Sequence, residues 1–107
     1  MKTYVLDIDG TICTHTAGEY EKAEPLVKRI EKINNLYDEG STIIFFTARG
    51  MGRAYNDSRV ATKMFMDITL EQLKKWEVKY HKLLLGKPAG DIYVDDKGIN
   101  DVDFFGD

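Results

Sequence analysis

Two aspartates separated by one apolar residue, Asp7-Ile8-Asp9, follow the strand-like run Tyr4-Val5-Leu6 and lead into Gly10-Thr11. On an extended chain alternate side chains share a face, so the two carboxylates point together while Ile8 turns toward a core. Like charges held that close call for a cation between them or a shared proton. Gly10 permits a sharp turn or a close backbone approach that a side chain would block. The simplest reading of the octapeptide alone is a strand that ends in an Asp-Gly turn. The remainder of the chain decides between that and a reactive site.

The chain has 107 residues, enough for one domain with a real core and no second folding unit, so residues 1–107 are read as one domain. Apolar residues make up 43% and charged residues 31%, the balance of an ordinary globular protein. A net charge of −3 gives no global attraction for nucleic acid. Cys13 is the single cysteine, which excludes an internal disulfide and suits a reducing, cytoplasmic setting. No apolar run reaches membrane-spanning length, and no signal-like segment precedes the first strand.

The elements that must position the acids follow in order. Residues 12–24 read as a loop or small flap; Cys13 and His15 within it lack the spacing partners of a zinc site. Glu24-Pro25 opens a helix whose stripe is Leu26, Val27, Ile30, Ile33, Leu36 and Tyr37, closed by Gly40. Thr42-Ile43-Ile44-Phe45-Phe46 is a run of the kind buried on both faces of a parallel sheet, and Thr47-Ala48-Arg49-Gly50 follows it. Residues 51–67 begin as a loop and turn helical near Ser58, with Val60 and Met64 facing inward. Thr69-Leu70-Glu71-Gln72 has the form of a capping box that starts a further helix, Ile68 stapling onto Leu73, and His81 falls near that helix's end as a surface residue. Leu83-Leu84-Leu85 forms a third strand and Gly86-Lys87-Pro88 a turn. Asp91-Ile92-Tyr93-Val94 forms a fourth strand that ends in Asp95-Asp96, followed by a short helical turn. Strand and helix alternate, which predicts a three-layer α/β/α, Rossmann-like domain with a mainly parallel sheet.

In such a sheet ligands bind beyond the carboxyl ends of the strands. Asp7, Asp9, Thr47, Arg49, Lys87, Asp95 and Asp96 all follow predicted strand ends, so one edge should gather four acids, a lysine and a hydroxyl. Hard oxygen donors without clustered histidine or cysteine select a hard cation, with magnesium the natural candidate.

These residues resemble the motifs of the haloacid dehalogenase superfamily. Asp7-Ile8-Asp9-Gly10-Thr11 is similar to its first motif, Thr47 to its second, Lys87 to its third and Asp95-Asp96 to the double-acid form of its fourth. The run through Glu24-Pro25, Phe46-Thr47-Ala48-Arg49-Gly50, Gly86-Lys87-Pro88 and Asp95-Asp96-Lys97 resembles short, capless bacterial members found among surface-polysaccharide and sugar-phosphate genes. The resemblance implies a magnesium-dependent phosphomonoesterase that hydrolyses a sugar or polyol phosphate through an aspartyl-phosphate. It makes Asp7 the nucleophile and Asp9 the general acid and base. It assigns the phosphate to Gly10, Thr11, Thr47, the Ala48 N–H and Lys87, and the metal to Asp7, the Asp9 carbonyl and Asp95, with Asp96 acting through water. The gaps between motifs hold no cap, so the site should be open. Arg49, Arg53 and Arg59 are then candidates for contacting the rest of the substrate, and a homo-oligomer could roof the cleft. Two other functions compete: a catalytically silent phosphate-binding or regulatory module, and a nucleic-acid-end 3′-phosphatase. The second fits poorly with a negative charge and no basic, aromatic-lined track.

Overall fold

The computed structural model describes residues 1–107. Three strands, β1 (Thr3–Leu6), β2 (Thr42–Thr47) and β3 (Lys82–Leu85), form a sheet of order β1-β2-β3. Both pairings are parallel, with Tyr4 opposite Ile43 and Phe45 opposite Leu83. Helix α1 (Val27–Asp38) links β1 to β2, and α2 (Ser58–Lys75) links β2 to β3. A short α3 (Asp101–Phe105) closes the chain. The domain is the expected capless α/β alternation on a parallel sheet, and none of its helices is long and apolar enough to cross a membrane.

Strand composition settles what the sheet buries. Leu6, Ile43, Phe45 and Leu85 are buried on one face, and Ile30 and Ile33 of α1 and Leu73 of α2 join the first three in the main core. Two right-handed crossovers that step in the same direction across a sheet put both helices on the same face. On the opposite face Val5 is 62% exposed and Leu84 48%. α3 packs on the covered side: Phe104 meets Tyr4 with ring centroids 5.7 Å apart, and Arg29 of α1 binds Asp101 at 2.8 Å and Asp107 at 2.6 Å.

Several local expectations change. The helix expected from Ser58 and the one expected after Thr69 are a single helix, capped at its start by the Asp57 carboxylate, which accepts from Arg59 N–H at 3.0 Å. Thr69 and Gln72 therefore lie inside α2, both buried, instead of forming a capping box. Val60 and Met64 are exposed, and Ala61 faces inward in their place. Val27 is likewise exposed at the first turn of α1. His81 lies past α2, where its Nδ1 accepts from Ile43 N–H at 3.0 Å and its ring stacks on Tyr37. The fourth strand does not form: Asp91–Val94 pairs with nothing, and Ile92, Tyr93 and Val94 are 80%, 53% and 90% exposed. Without that strand and a crossover helix leading to it, nothing lays a helical layer on the second face.

Gly50 shows how tightly the loop after β2 is seated. Its φ is +77°, and a Cβ there would overlap the Phe65 ring. Gly50→Ala should lower stability by about 2 kcal/mol through overpacking and backbone strain. Gly52, whose Cβ would meet nothing within 4 Å, should accept alanine within ~0.5 kcal/mol. Urea midpoints of the two variants, with unchanged slopes, check both.

Candidate active site

β1 delivers Asp7 and Asp9 to the carboxyl edge of the sheet, and Ile8, fully buried between them, anchors the turn. That turn closes on backbone bonds from Thr11 N–H and Ile12 N–H to the Ile8 carbonyl, at 3.0 and 2.9 Å, and Gly10 takes φ +80°. β2 delivers Thr47 and Ala48, and Lys87 is brought alongside when its N–H donates to the Thr47 carbonyl at 3.2 Å. Asp7, Asp9, Thr47, Ala48 and Lys87 line one open cleft of about 440 Å³, together with Thr16, Gly18, Tyr20, Arg53 and Tyr93.

Burial pushes the Asp7 carboxyl above its ordinary value. Lys87, the Ile8 N–H and Thr11 pull the other way, while Asp9 adds to the rise. The Thr11 hydroxyl donates to Asp7 Oδ2 at 3.5 Å. Asp9 is held differently. Its two oxygens accept from Arg49 Nε at 2.9 Å and Nη2 at 3.0 Å, a fork-on-carboxylate pair. The Arg49 side chain has no exposure at all. Nη1 donates to Thr69 Oγ1 at 3.2 Å and Gln72 Oε1 at 2.5 Å, and Nη2 also meets Cys13 Sγ at 3.9 Å. All five guanidinium N–H groups are thereby engaged. Tyr20 completes the cage: its ring lies 4.9 Å from the Arg49 guanidinium, its carbonyl accepts from Gln72 Nε2, and its hydroxyl accepts from Gly50 N–H at 2.8 Å.

This arrangement corrects the sequence reading at four points. Arg49 lines the cleft, but its side chain has no exposed surface and its guanidinium is taken up by Asp9, Thr69, Gln72 and Cys13. Arg59 lies outside the cleft, 91% exposed and paired with Asp57 at 3.6 Å. Arg53 does line the cleft, with Nη2 donating to the Gly18 carbonyl at 2.8 Å and its guanidinium over the Tyr20 and Phe65 rings. Asp95 and Asp96 are not among the cleft residues. Asp95 Oδ1 instead accepts from Lys97 N–H and Gly98 N–H, which holds its carboxyl below the usual range, and Asp96 pairs with Lys97 in solvent.

No three His, Cys, Asp or Glu side chains converge. Of the residues expected around a magnesium ion, Asp7 and Asp9 line the cleft, and Arg49 engages the Asp9 carboxylate while the expected donor there is the Asp9 carbonyl. Magnesium ordinarily takes one or two carboxylates together with waters and phosphate oxygens, and Asp7 is the acid in the cleft free to supply one. Cys13 is no ligand, since burial and the neighbouring Asp9 carboxylate push its thiol up to about 12. His15 is exposed beside the cleft.

Tyr20, Thr69, Gln72 and Tyr93 were missed from sequence. Thr69 and Gln72 did carry a signal, as polar residues three apart on the same face as Leu73. Tyr20 and Tyr93 lie in irregular segments with no period to mark them. Two donors in the cleft have no partner within the chain: the Ala48 N–H and the buried Thr16 hydroxyl.

No protein-family model matches the sequence, and a comparison with curated proteins gives no significant match. The fold is similar to a crystal structure of a structural-genomics target from Vibrio cholerae, with a TM-score of 0.89 and 28% identity over 98% of this chain and 88% of that one.

Removing one partner of a buried ion pair leaves the other charge uncompensated. Arg49→Met should accordingly cost about 3 kcal/mol or more. Arg49→Lys should recover only part of that, because an ammonium cannot serve both Asp9 oxygens and the Thr69–Gln72 pair. Chemical denaturation of the two variants tests the order wild type, Lys, Met.

Proposed function

We propose that the chain is a phosphomonoesterase of the haloacid dehalogenase type, acting in the cytoplasm on a small phosphorylated sugar, polyol or related metabolite. The observation that carries the reading is the setting of Asp7: a desolvated carboxylate at the mouth of β1, with Lys87 close by and the unpartnered Ala48 N–H and Thr16 hydroxyl in the same cleft. A dianionic phosphate needs donors and positive charge, and a carboxylate poised among them is placed to attack phosphorus.

In the proposed reaction an Asp7 oxygen attacks phosphorus, the bond to the ester oxygen breaks, and the departing alkoxide takes a proton from the Asp9 carboxyl. Water then attacks the acyl phosphate, gives a proton back to Asp9, and frees phosphate and Asp7. The Arg49 fork occupies one lone pair on each Asp9 oxygen and Cys13 Sγ donates to Oδ1 at 3.5 Å, which leaves the second lone pair of Oδ2 for that proton. Lys87 offsets the charge of nucleophile and phosphate, and Thr11, Thr47 and Ala48 N–H are the remaining candidates for the phosphoryl oxygens. Arg53, exposed at the cleft, is positioned for the non-reacting part of the substrate. The openness of the cleft fits a substrate class broader than one compact metabolite.

The silent phosphate-binding module has one observation in its favour, the position of Asp95 and Asp96 outside the cleft. Phosphate release from a panel of sugar phosphates, polyol phosphates and nucleotides, with magnesium and with chelator, separates the readings. Turnover on one class, lost on chelation, is the expected result; phosphate binding without turnover selects the silent module.

Asp7→Asn should reduce turnover about 10³-fold or more while the fold persists. Because the Asp7 carboxyl is raised in the folded protein, its ionisation opposes folding. The stability associated with the protonated form is complete below the unfolded value and lost as pH rises through the folded one. Asp7→Asn should therefore melt above wild type at pH 7, with the difference shrinking in acid; thermal melts across pH test this. The acid limb of turnover should lie above the ordinary carboxylate range, since the nucleophile must be ionised.

A further inference from the structure

The chain has four arginines, and three of them are matched by acids. Arg29 binds Asp101 and Asp107, Arg49 binds Asp9, and Arg59 pairs with Asp57. Arg53 has no acidic partner, and of the two arginines that line the cleft it is the exposed one. A guanidinium is never deprotonated in a protein, so this charge stands in the cleft at every working pH. The neighbouring charges are matched already. Asp9 meets Arg49, and Lys87 acts on Asp7 and on the phosphoryl group of the proposed reaction. Arg53 is the cation left over.

Arg53 is also held in place. Its guanidinium carbon lies 5.9 Å from the Tyr20 ring centroid and 5.6 Å from that of Phe65, and those rings brace each other edge-on at 5.0 Å. Nη2 donates to the Gly18 carbonyl at 2.8 Å. A Cβ on Gly18 would come within 3.0 Å of Nη2 and 3.9 Å of Nε, so that edge of the guanidinium is turned onto the flap. Gly18 takes φ +92°, and the missing side chain is what lets the guanidinium approach. The end-on pair, one N–H from Nη1 and the second from Nη2, meets no acceptor in the chain. Two parallel N–H groups of this kind match the two oxygens of a carboxylate or a phosphate. Two residues before Gly18, the Thr16 hydroxyl is a further donor of the same cleft, buried and without a partner.

One ring serves both arginines of the cleft: Arg49, which holds Asp9, lies 4.9 Å from the Tyr20 centroid, and Arg53 meets the same ring. The cleft, about 440 Å³, is of small-molecule size and larger than a lone phosphoryl group needs. We propose that the substrate carries a second anionic group, a carboxylate or a second phosphate, which Arg53 receives end-on while Asp7 faces the reacting phosphoryl. The inference rests on the phosphatase reading and narrows its substrates to phosphorylated acids and bisphosphates. A neutral polyol phosphate would leave Arg53 without a counter-charge. Because Arg53 meets the part of the substrate that does not react, its contact is alike in ground and transition states and acts on KM more than on kcat.

Initial rates of phosphate release from two matched pairs test the proposal. 6-Phosphogluconate and sorbitol 6-phosphate share a carbon chain and differ by a carboxylate against a hydroxymethyl group; fructose 1,6-bisphosphate and fructose 6-phosphate differ by a second phosphate. In at least one pair kcat/KM should favour the doubly anionic member by about tenfold or more, as a charge-assisted fork would give. The pair that shows it names the group. In Arg53→Met that ratio should fall to about one, through KM, and Arg53→Lys should restore part of it, since an ammonium keeps the charge without the fork. Two substrates compared on one protein give a ratio that does not depend on how much of a variant is folded. Equal kcat/KM within both wild-type pairs overturns the second-anion site and leaves the phosphatase reading standing. A preference that survives in Arg53→Met also overturns it, and both members slowed alike would then make Arg53 a partner of the reacting phosphoryl. Should wild type release phosphate from neither pair nor the wider panel, titration calorimetry with the same four compounds separates the failures. Tighter binding of the doubly anionic member, lost in Arg53→Met, keeps the site and overturns the phosphatase reading; equal binding overturns both.

Discussion

The structure depends on how it keeps two carboxylates at one strand end. Asp7 and Asp9 would repel across the cleft, and β1 cannot separate them, because Ile8 between them is fixed in the core. Arg49 resolves the conflict by taking Asp9 out of the balance. A buried guanidinium is costly to desolvate, and the cost is offset only when every N–H finds an acceptor. Here Asp9, Thr69, Gln72 and Cys13 supply all of them. Asp7 is left as the acid in the cleft without a paired cation of its own, with Lys87 acting through space.

That cage also ties three distant parts of the chain together. The flap contributes Tyr20 and Cys13, the loop after β2 contributes Arg49 and Gly50, and the middle of α2 contributes Thr69 and Gln72. Phe65, one helical turn before Thr69, packs edge-on against Tyr20 at 5.0 Å. The long unbroken α2 follows from this: a helix break at Thr69 would remove two of the acceptors that make a buried Arg49 tolerable. The polar residues that looked like a helix start in sequence are polar because they face a cation.

The legible part of the chain was the part governed by short-range pattern. The β-branched run of β2, the Ile30–Ile33 stripe of α1, Leu83–Leu85 and the strand-end positions of Asp7, Thr47 and Lys87 all follow from periodicity and from where parallel strands present their ends. Arg49 was found but misassigned, because nothing local distinguishes an arginine that meets a substrate from one that meets Asp9 forty residues earlier. Asp91–Val94 had the composition of a strand and is not one in the single chain. Its β-branched and aromatic composition was read as a strand preference, and in this structure the segment pairs with no strand and stands in solvent.

The order of the strands explains the one-sided layering. β1, β2 and β3 step across the sheet in one direction, and each right-handed crossover lays its helix on the same face. A helix on the other face would require a return past β1, and therefore a crossover of helical length between β3 and a fourth strand. The chain has Gly86–Gly90 there instead. Shortening that connection keeps Lys87 fixed near Asp7, because the Lys87 N–H bonds directly to the end of β2. Asp95 and Asp96, which follow that connection, lie outside the cleft, and Asp95 is turned back on the Lys97 and Gly98 N–H groups.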